Sequence, residues 1–238
     1  MDQMQMTPQS AFTAAGAVTA ERATSFLRRV YAWMCVGLGV TAVVALGVAG
    51  SPTLVRAIFG NKILFFGLII AQLGLVFFLS SRVQKLSAGT AAGLFLLYSA
   101  LTGATLSFIF LAYTGTSIAT TFVVTAGMYG ALALYGTTTK RSLAGVGQFV
   151  FMGLIGVILA SVVGMFVKSE ALQFVITIAG VIVFTGLTAW DAQRLKLMAA
   201  SVPETSYGSY SVVGALSLYL NFINLFLFLL RILGGRRN

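Results

Sequence analysis

Asp191 is the acidic side chain that falls within an apolar run, in the stretch Thr185-Gly186-Leu187-Thr188-Ala189-Trp190-Asp191-Ala192-Gln193-Arg194. An ionisable group at membrane depth is costly and points by default to an ion or proton route. A carboxylate there can hold a cation or carry a proton. The plainer reading is a solvated helix end beside Arg194 and Lys196. Two features weigh against it. An Asp at a helix C-terminus meets the unfavourable end of the macrodipole and needs a partner. Thr185, Thr188 and Gln193 also give the same segment a polar stripe.

A second polar feature lies in Leu218-Tyr219-Leu220-Asn221-Phe222-Ile223-Asn224-Leu225. Residues three apart share one side of a helix, so Asn221 and Asn224 face the same way. Amides in an apolar span ordinarily bond between helices. Their carbonyl oxygens can equally meet a hard cation such as Ca²⁺. Tyr98, Ser99, Thr102, Thr105 and Ser107 form a hydroxyl-rich stretch that either lines an aqueous path or bonds to its own backbone.

What is missing narrows the chemistry. The sequence has no His, which removes His-ligated metal sites and Ser–His or Cys–His nucleophiles. Its single Cys, Cys35, reads as a small buried hydrophobe. No Gly-rich phosphate loop occurs, and the acids are only Asp2, Glu21, Glu170, Asp191 and Glu204. No enzyme and no resident cofactor are expected. The formal charge of +10 comes from Lys and Arg scattered in ones and twos between apolar runs. That pattern fits loops facing anionic headgroups, so the expected partner is the lipid bilayer and not nucleic acid.

The elements that must position these groups follow from composition. Of 238 residues, 58% are hydrophobic and 8% charged, against roughly 25% charged in a soluble domain. A spanning helix needs roughly 20 apolar residues. Seven segments qualify, at about 30–50, 62–81, 90–112, 117–135, 146–167, 172–190 and 212–233. Alternating strand patterns are absent and unpaired backbone cannot stay in hydrocarbon, so an all-α membrane protein of seven transmembrane helices is expected. Gly89-x-x-x-Gly93 and Ser99-x-x-x-Gly103 read as close-packing faces. The segment 192–211 reads as a link. Residues 1–25 read as a disordered polar N-terminal tail and 26–238 as the membrane domain, with the first span an uncleaved anchor.

With seven spans the two ends of the chain lie on opposite sides. Lys and Arg then divide nine to six in favour of the N-terminal side, which predicts a cytoplasmic N-terminus. Half of the opposing six lie in the tail that holds Arg231, Arg236 and Arg237. A last helix that only dipped into the membrane would bring that tail to the cytoplasmic side.

Six segments carry a family resemblance. They are Ser87-Ala88-Gly89, Tyr98-Ser99-Ala100-Leu101-Thr102-Gly103, the runs 122–128 and 135–140, Leu187-Thr188-Ala189-Trp190-Asp191-Ala192-Gln193, and the run 214–226. On these the chain, from about Phe26 to its end, resembles the Bax inhibitor-1 family and most of all its bacterial inner-membrane branch. The resemblance implies a compact bundle with the seventh helix in the middle, wrapped by the other six. It implies a pH-sensitive passive Ca²⁺ leak channel, with Ca²⁺ as the permeant ion. The gate is a pair of aspartates sharing a proton, with an Arg latch near the end of the second helix. Asp191 matches the first aspartate, Asn221 stands where the second is usual, and Arg82 is the candidate latch. Asp191 and Asn221 would then be the ion-binding pair, with Asn224 beside them.

Two adjacent carboxylates repel, which makes a proton switch near neutral pH. An Asp–Asn pair lacks that repulsion, so pH gating is expected to be weakened or displaced. The resemblance also implies a second reading, a non-conducting membrane interaction protein that modulates a quality-control protease or a stress response. A monomer is expected in either case.

Overall fold

The computed structural model describes the backbone of residues 8–167 and 169–237, and the side chains of 21–167 and 169–237. The chain forms helices α1 (Pro8–Ala49), α2 (Pro52–Phe59), α3 (Lys62–Arg82), α4 (Ala88–Leu106), α5 (Ile109–Ala112), α6 (Gly115–Thr138), α7 (Ala144–Phe166), α8 (Glu170–Ser201) and α9 (Tyr207–Leu233). No strand occurs among the described residues, which hold only an isolated bridge between Tyr113 and Arg236. Seven helical stretches are long and apolar enough to cross a bilayer: Glu21–Ala49, Lys62–Lys85, Ala88–Ala112, Gly115–Thr138, Ala144–Phe166, Glu170–Ser201 and Glu204–Leu233. The tail expected over residues 1–25 falls partly on residues 1–7, which lie outside the described residues.

Helix ends follow local chemistry. Ser51 caps α2 ahead of Pro52, Asn61 accepts from the Ile63 and Leu64 amides at the start of α3, and Ser87 and Thr114 do the same for α4 and α6. Each side-chain acceptor satisfies an amide that has no intrahelical partner. The short helix α2 shows in the sequence only as a Ser-Pro link. Charged residues likewise hide the true length of α8, which continues eleven residues beyond Trp190. The segment 192–211 is therefore mostly helix, and the turn into α9 occupies only 202–206. Asp191 lies inside α8, ten residues before its end, so the macrodipole argument for it falls.

In α9, 61% of the most apolar window is buried, against 6% to 39% in the other spans. It packs on α1, α4, α6 and α8, while α7 joins the bundle mainly through α8. Leu218, Tyr219 and Leu225 are wholly enclosed, and Phe95 and Tyr98 of α4 meet the Tyr219 ring edge-to-face. The Tyr219 hydroxyl lies 2.6 Å from Thr41 Oγ1 of α1. Cys35 is exposed on the outer side of α1, not buried as its apolar setting suggested.

Glycines mark the closest helix contacts, but not at every small-residue spacing. Beside Gly103 the Thr41 carbonyl of α1 leaves no room for a Cβ, whereas Gly89 and Gly93 face open space. The Ser99–Gly103 pair is therefore a packing face and the Gly89–Gly93 pair is not.

The two ends of the bundle are distinct. Arg22 pairs with Glu204 at 3.0 Å, which joins the start of α1 to the turn before α9. At the opposite end, the Gly235 amide donates to Ser117 Oγ at 2.9 Å and the Arg237 amide to the Ala112 carbonyl at 3.0 Å. Between them α9 runs 27 residues, about 40 Å at the helical rise. The last helix thus crosses fully, and the tail does not return to the end that holds Glu204.

Candidate functional site

Trp190 and Asp191 reach their positions because two neighbouring helices present glycine to α8. Gly136 of α6 abuts the Ala189 carbonyl, and Gly147 of α7 lies against the Trp190 ring, so a Cβ at either site would collide. The polar end of α8 is then tied to the α6–α7 connection. Gln193 accepts from the Leu143 amide at 2.8 Å and donates to the Arg141 carbonyl at 2.9 Å. Lys196 Nζ donates to the Thr137 carbonyl at 2.6 Å.

Held in this way, Asp191 turns toward α9 and is 4% exposed. Its Oδ2 accepts from Ser217 Oγ at 2.7 Å and from Asn221 Nδ2 at 2.8 Å. Ser217 and Asn221 are one turn apart on α9, so both donors face α8 together. The other oxygen, Oδ1, lies 2.9 Å from Arg194 Nη2 but accepts no aligned hydrogen bond from a described residue. Arg194 also donates to Ser217 Oγ at 3.4 Å and stacks over the Trp190 ring at 5.0 Å. A buried carboxylate needs such compensation, since losing its partners would leave a desolvated charge.

The sequence-derived set is only partly assembled. Asp191 and Asn221 meet. Asn224 shares their side of α9, but its amide donates back to the Leu220 carbonyl at 2.8 Å. Arg82 is exposed in the last turn of α3, and its side chain makes no hydrogen bond or ion pair with a described residue. The cation on Asp191 is Arg194 instead, three residues along its own helix. Sequence reasoning also missed Ser217. The i to i+3 spacing of Asp191 and Arg194 was a visible signal; Ser217 carried none beyond its place one turn before Asn221.

In this arrangement Asn221 presents its N–H, and not its carbonyl oxygen, to the carboxylate. No group of three His, Cys, Asp or Glu side chains that could hold a metal occurs among the described residues. The hydroxyl-rich stretch resolves toward backbone bonding. Ser99 donates to the Phe95 carbonyl, Thr105 to that of Leu101, and Ser107 to that of Ala104. Thr185 and Thr188 do the same one turn back.

Two cavities meet at the Asp191 cluster. A groove of about 800 Å³ runs between α7 and α9 over α8, lined by Asp191, Asn221 and Asn224 with Arg194 toward one end and Arg231 toward the other. A smaller cavity of about 300 Å³ lies between the end of α3 and the α8–α9 contact, lined by Ser80, Val83, Met198 and Tyr210. Arg194, Ser217 and Leu220 line both.

Comparison with known proteins agrees with this architecture. The family model described as inhibitor of apoptosis-promoting Bax1 matches residues 23–238. Inner membrane protein YbhL of Escherichia coli K12 is 54% identical over 216 residues, covering 90% of this chain and 92% of that one. An uncharacterised protein of Borreliella burgdorferi is 46% identical over 90% of this chain and 93% of its own. One of Deinococcus radiodurans is 39% identical over 99% of this chain and 98% of its own. With nearly its whole length matched, this seven-span membrane protein belongs to the Bax inhibitor-1 family.

Proposed function

We propose that the chain is a passive cation leak path of the inner membrane, selective enough to pass Ca²⁺, with its gate at Asp191, Arg194, Ser217 and Asn221. The observation that carries this reading is the pair of cavities that share Arg194, Ser217 and Leu220 as walls, beside a buried carboxylate that lines the larger one. A cation in the larger groove reaches the side of Asp191, one in the smaller cavity reaches Arg194 and Ser217, and between them Asp191 Oδ1 is covered by the partly exposed Arg194 side chain. Displacing that guanidinium opens the shared wall, and the carboxylate offers the cation a partial replacement for its water. Arg194 therefore takes the latch role that Arg82 does not fill. The enclosed helix α9 serves as the axis against which α8 moves. The inner-membrane naming of YbhL and the excess of basic residues at the Glu204 end support an inner-membrane location with a cytoplasmic N-terminus.

Asn221 stands where a second carboxylate would pair with Asp191, so the pH dependence that the resemblance implies should be altered here. The test is Ca²⁺ entry into proteoliposomes between about pH 5 and pH 8 for the natural chain and Asp191→Asn. Flux in the natural chain with a changed pH profile in the variant is the expected result. Identical profiles would overturn the gate. Absence of flux from folded protein would overturn conduction and leave the membrane interaction reading, with a protease as the partner.

A further inference from the structure

The end of the groove away from Asp191 is built differently. Arg231 and Arg236 line a recess of about 560 Å³ together with Tyr113, Gln173 and Thr177, between α8, α9 and the C-terminal segment. Gln173 and Arg231 also line the α7–α9 groove, so the recess and the groove are continuous. The Arg231 guanidinium lies over the Phe228 ring at 5.6 Å. Neither Arg231 nor Arg236 makes a side-chain hydrogen bond or ion pair with a described residue. Arg237 adds a third cation, and Glu170 at the start of α8 is the acid nearest in sequence to the elements of this end.

Groove and recess together have the shape of one kind of ligand. The groove is a slot in the side of spanning helices, and its walls include Leu154, Ile158, Val162, Leu220 and Phe228. Of its polar members on α9, Asn221 donates one N–H to Asp191 and Asn224 donates one to its own helix, so both amides are turned to protein partners. Hydrocarbon is what borders such a slot. One leaflet contributes about 15 Å of acyl chain, half of a core roughly 30 Å thick. Ten residues of α9 separate Arg231 from Asn221, also about 15 Å at the helical rise. A chain whose headgroup sits at Arg231 would therefore end at the Asp191 cluster.

We propose that this protein binds one anionic phospholipid in the membrane half opposite Asp191. Its phosphate lies between Arg231 and Arg236, and one acyl chain fills the α7–α9 groove. Basic pockets between spanning helices hold anionic headgroups in this way. A chain seated in the groove and a cation approaching Asp191 through it exclude each other, so the lipid-bound form is the closed one; the site itself does not require conduction, and its test reads binding alone.

Full-length protein in detergent is titrated by native mass spectrometry with dioleoyl phosphatidylglycerol and, separately, dioleoyl phosphatidylcholine. The expected result is an anionic preference of about tenfold or more, from two charge contacts with the headgroup. Arg231→Gln combined with Arg236→Gln removes the preference, while Arg56→Gln on α2 leaves it intact. Ser161→Phe, which fills the groove, weakens phosphatidylglycerol binding with both arginines present. Thermal melts of each variant establish that the fold is retained. Equal binding of the two lipids by the natural chain, or an unchanged preference in the double variant, overturns the site. Displacement of the lipid by millimolar glycerol phosphate would mark a phosphate site without a lipid groove and overturns the proposal as well.

Discussion

The side-chain amide of Asn221 donates to Asp191 Oδ2 at 2.8 Å across the α8–α9 contact. A neutral donor thus occupies the place facing the carboxylate, and with Ser217 it satisfies one of the two oxygens. Replacing that donor with a second acceptor reverses the electrostatics of the contact. In Asn221→Asp two carboxylates face each other at hydrogen-bond distance and cannot both ionise without mutual repulsion. The variant carboxylate pair should share a proton, because mutual repulsion raises its apparent pKa relative to the unfolded chain. A raised folded-state value means that stability is intact at low pH and lost as pH rises, by about 1.4 kcal/mol for each pH unit between the folded and unfolded values. The melting temperature of Asn221→Asp should therefore match the natural chain near pH 4 and fall behind it toward pH 8. Combining it with Asp191→Asn should remove the difference. A melting curve parallel to the natural one across that range would mean that the two positions do not face each other.

Arg194 and Arg82 give a direct contrast. Arg194→Gln removes the guanidinium from Asp191 Oδ1, a contact whose cation is 43% exposed. The cost in stability should be modest, about 1 kcal/mol after screening, while Ca²⁺ flux through the proposed gate should rise. Arg82→Gln should leave both quantities unchanged, because the Arg82 side chain is exposed and bonds to no described residue. Proteoliposome flux with a parallel melt reads both effects. A rise in flux from Arg82→Gln alone would return the latch to α3.

Packing around Trp190 predicts a steep difference among glycines. Gly136 and Gly147 lie against α8 with no space for a Cβ, whereas Gly89 and Gly93 meet nothing. Gly136→Val and Gly147→Val should each destabilise by about 1–3 kcal/mol through overpacking. Gly89→Ala should stay within about 1 kcal/mol of the natural chain. Melts in a single detergent compare the three, and equal effects would count against the α6–α8 and α7–α8 contacts.

The spans were legible because hydropathy and length decide them, and lipid-facing residues such as Ile63, Phe77 and Phe149 remain apolar in the folded bundle. Helix ends were less legible. Arg194 and Lys196 look like loop residues in sequence, yet α8 carries them as a helix whose polar side meets Thr137 and Ser217. The contact between Asp191 and Asn221 came from the resemblance, not from spacing, since thirty residues separate them. For a related reason, the cation beside Asp191, Arg194, was not singled out. Arg82 stands at the expected place along its helix, but the orientation of its side chain is a tertiary property. Gly89 and Gly93 show the same limit, because a small-residue spacing gives a face without saying what covers it.

The orientation of the bundle supplies the last prediction. Arg22 and Glu204 pair at one end, while Gly235 and Arg237 bond to the α5–α6 connection at the other. A chain with seven crossings must put these ends on opposite sides of the membrane. With nine basic residues toward it, the Glu204 end is expected on the cytoplasmic side. In a Cys35→Ser background, which removes the single native thiol, Glu204→Cys and Arg237→Cys each carry one reporter. A membrane-impermeant maleimide applied to intact spheroplasts should label Arg237→Cys and spare Glu204→Cys until the cells are lysed. The reverse pattern would invert the orientation while keeping seven spans. Labelling of both positions, or of neither, before lysis would put the two ends on one side and contradict the full crossing of α9. Glu204→Cys also breaks the Arg22 ion pair, but that contact is exposed and contributes on the order of 0–1 kcal/mol. Its loss should not disturb the topology being read.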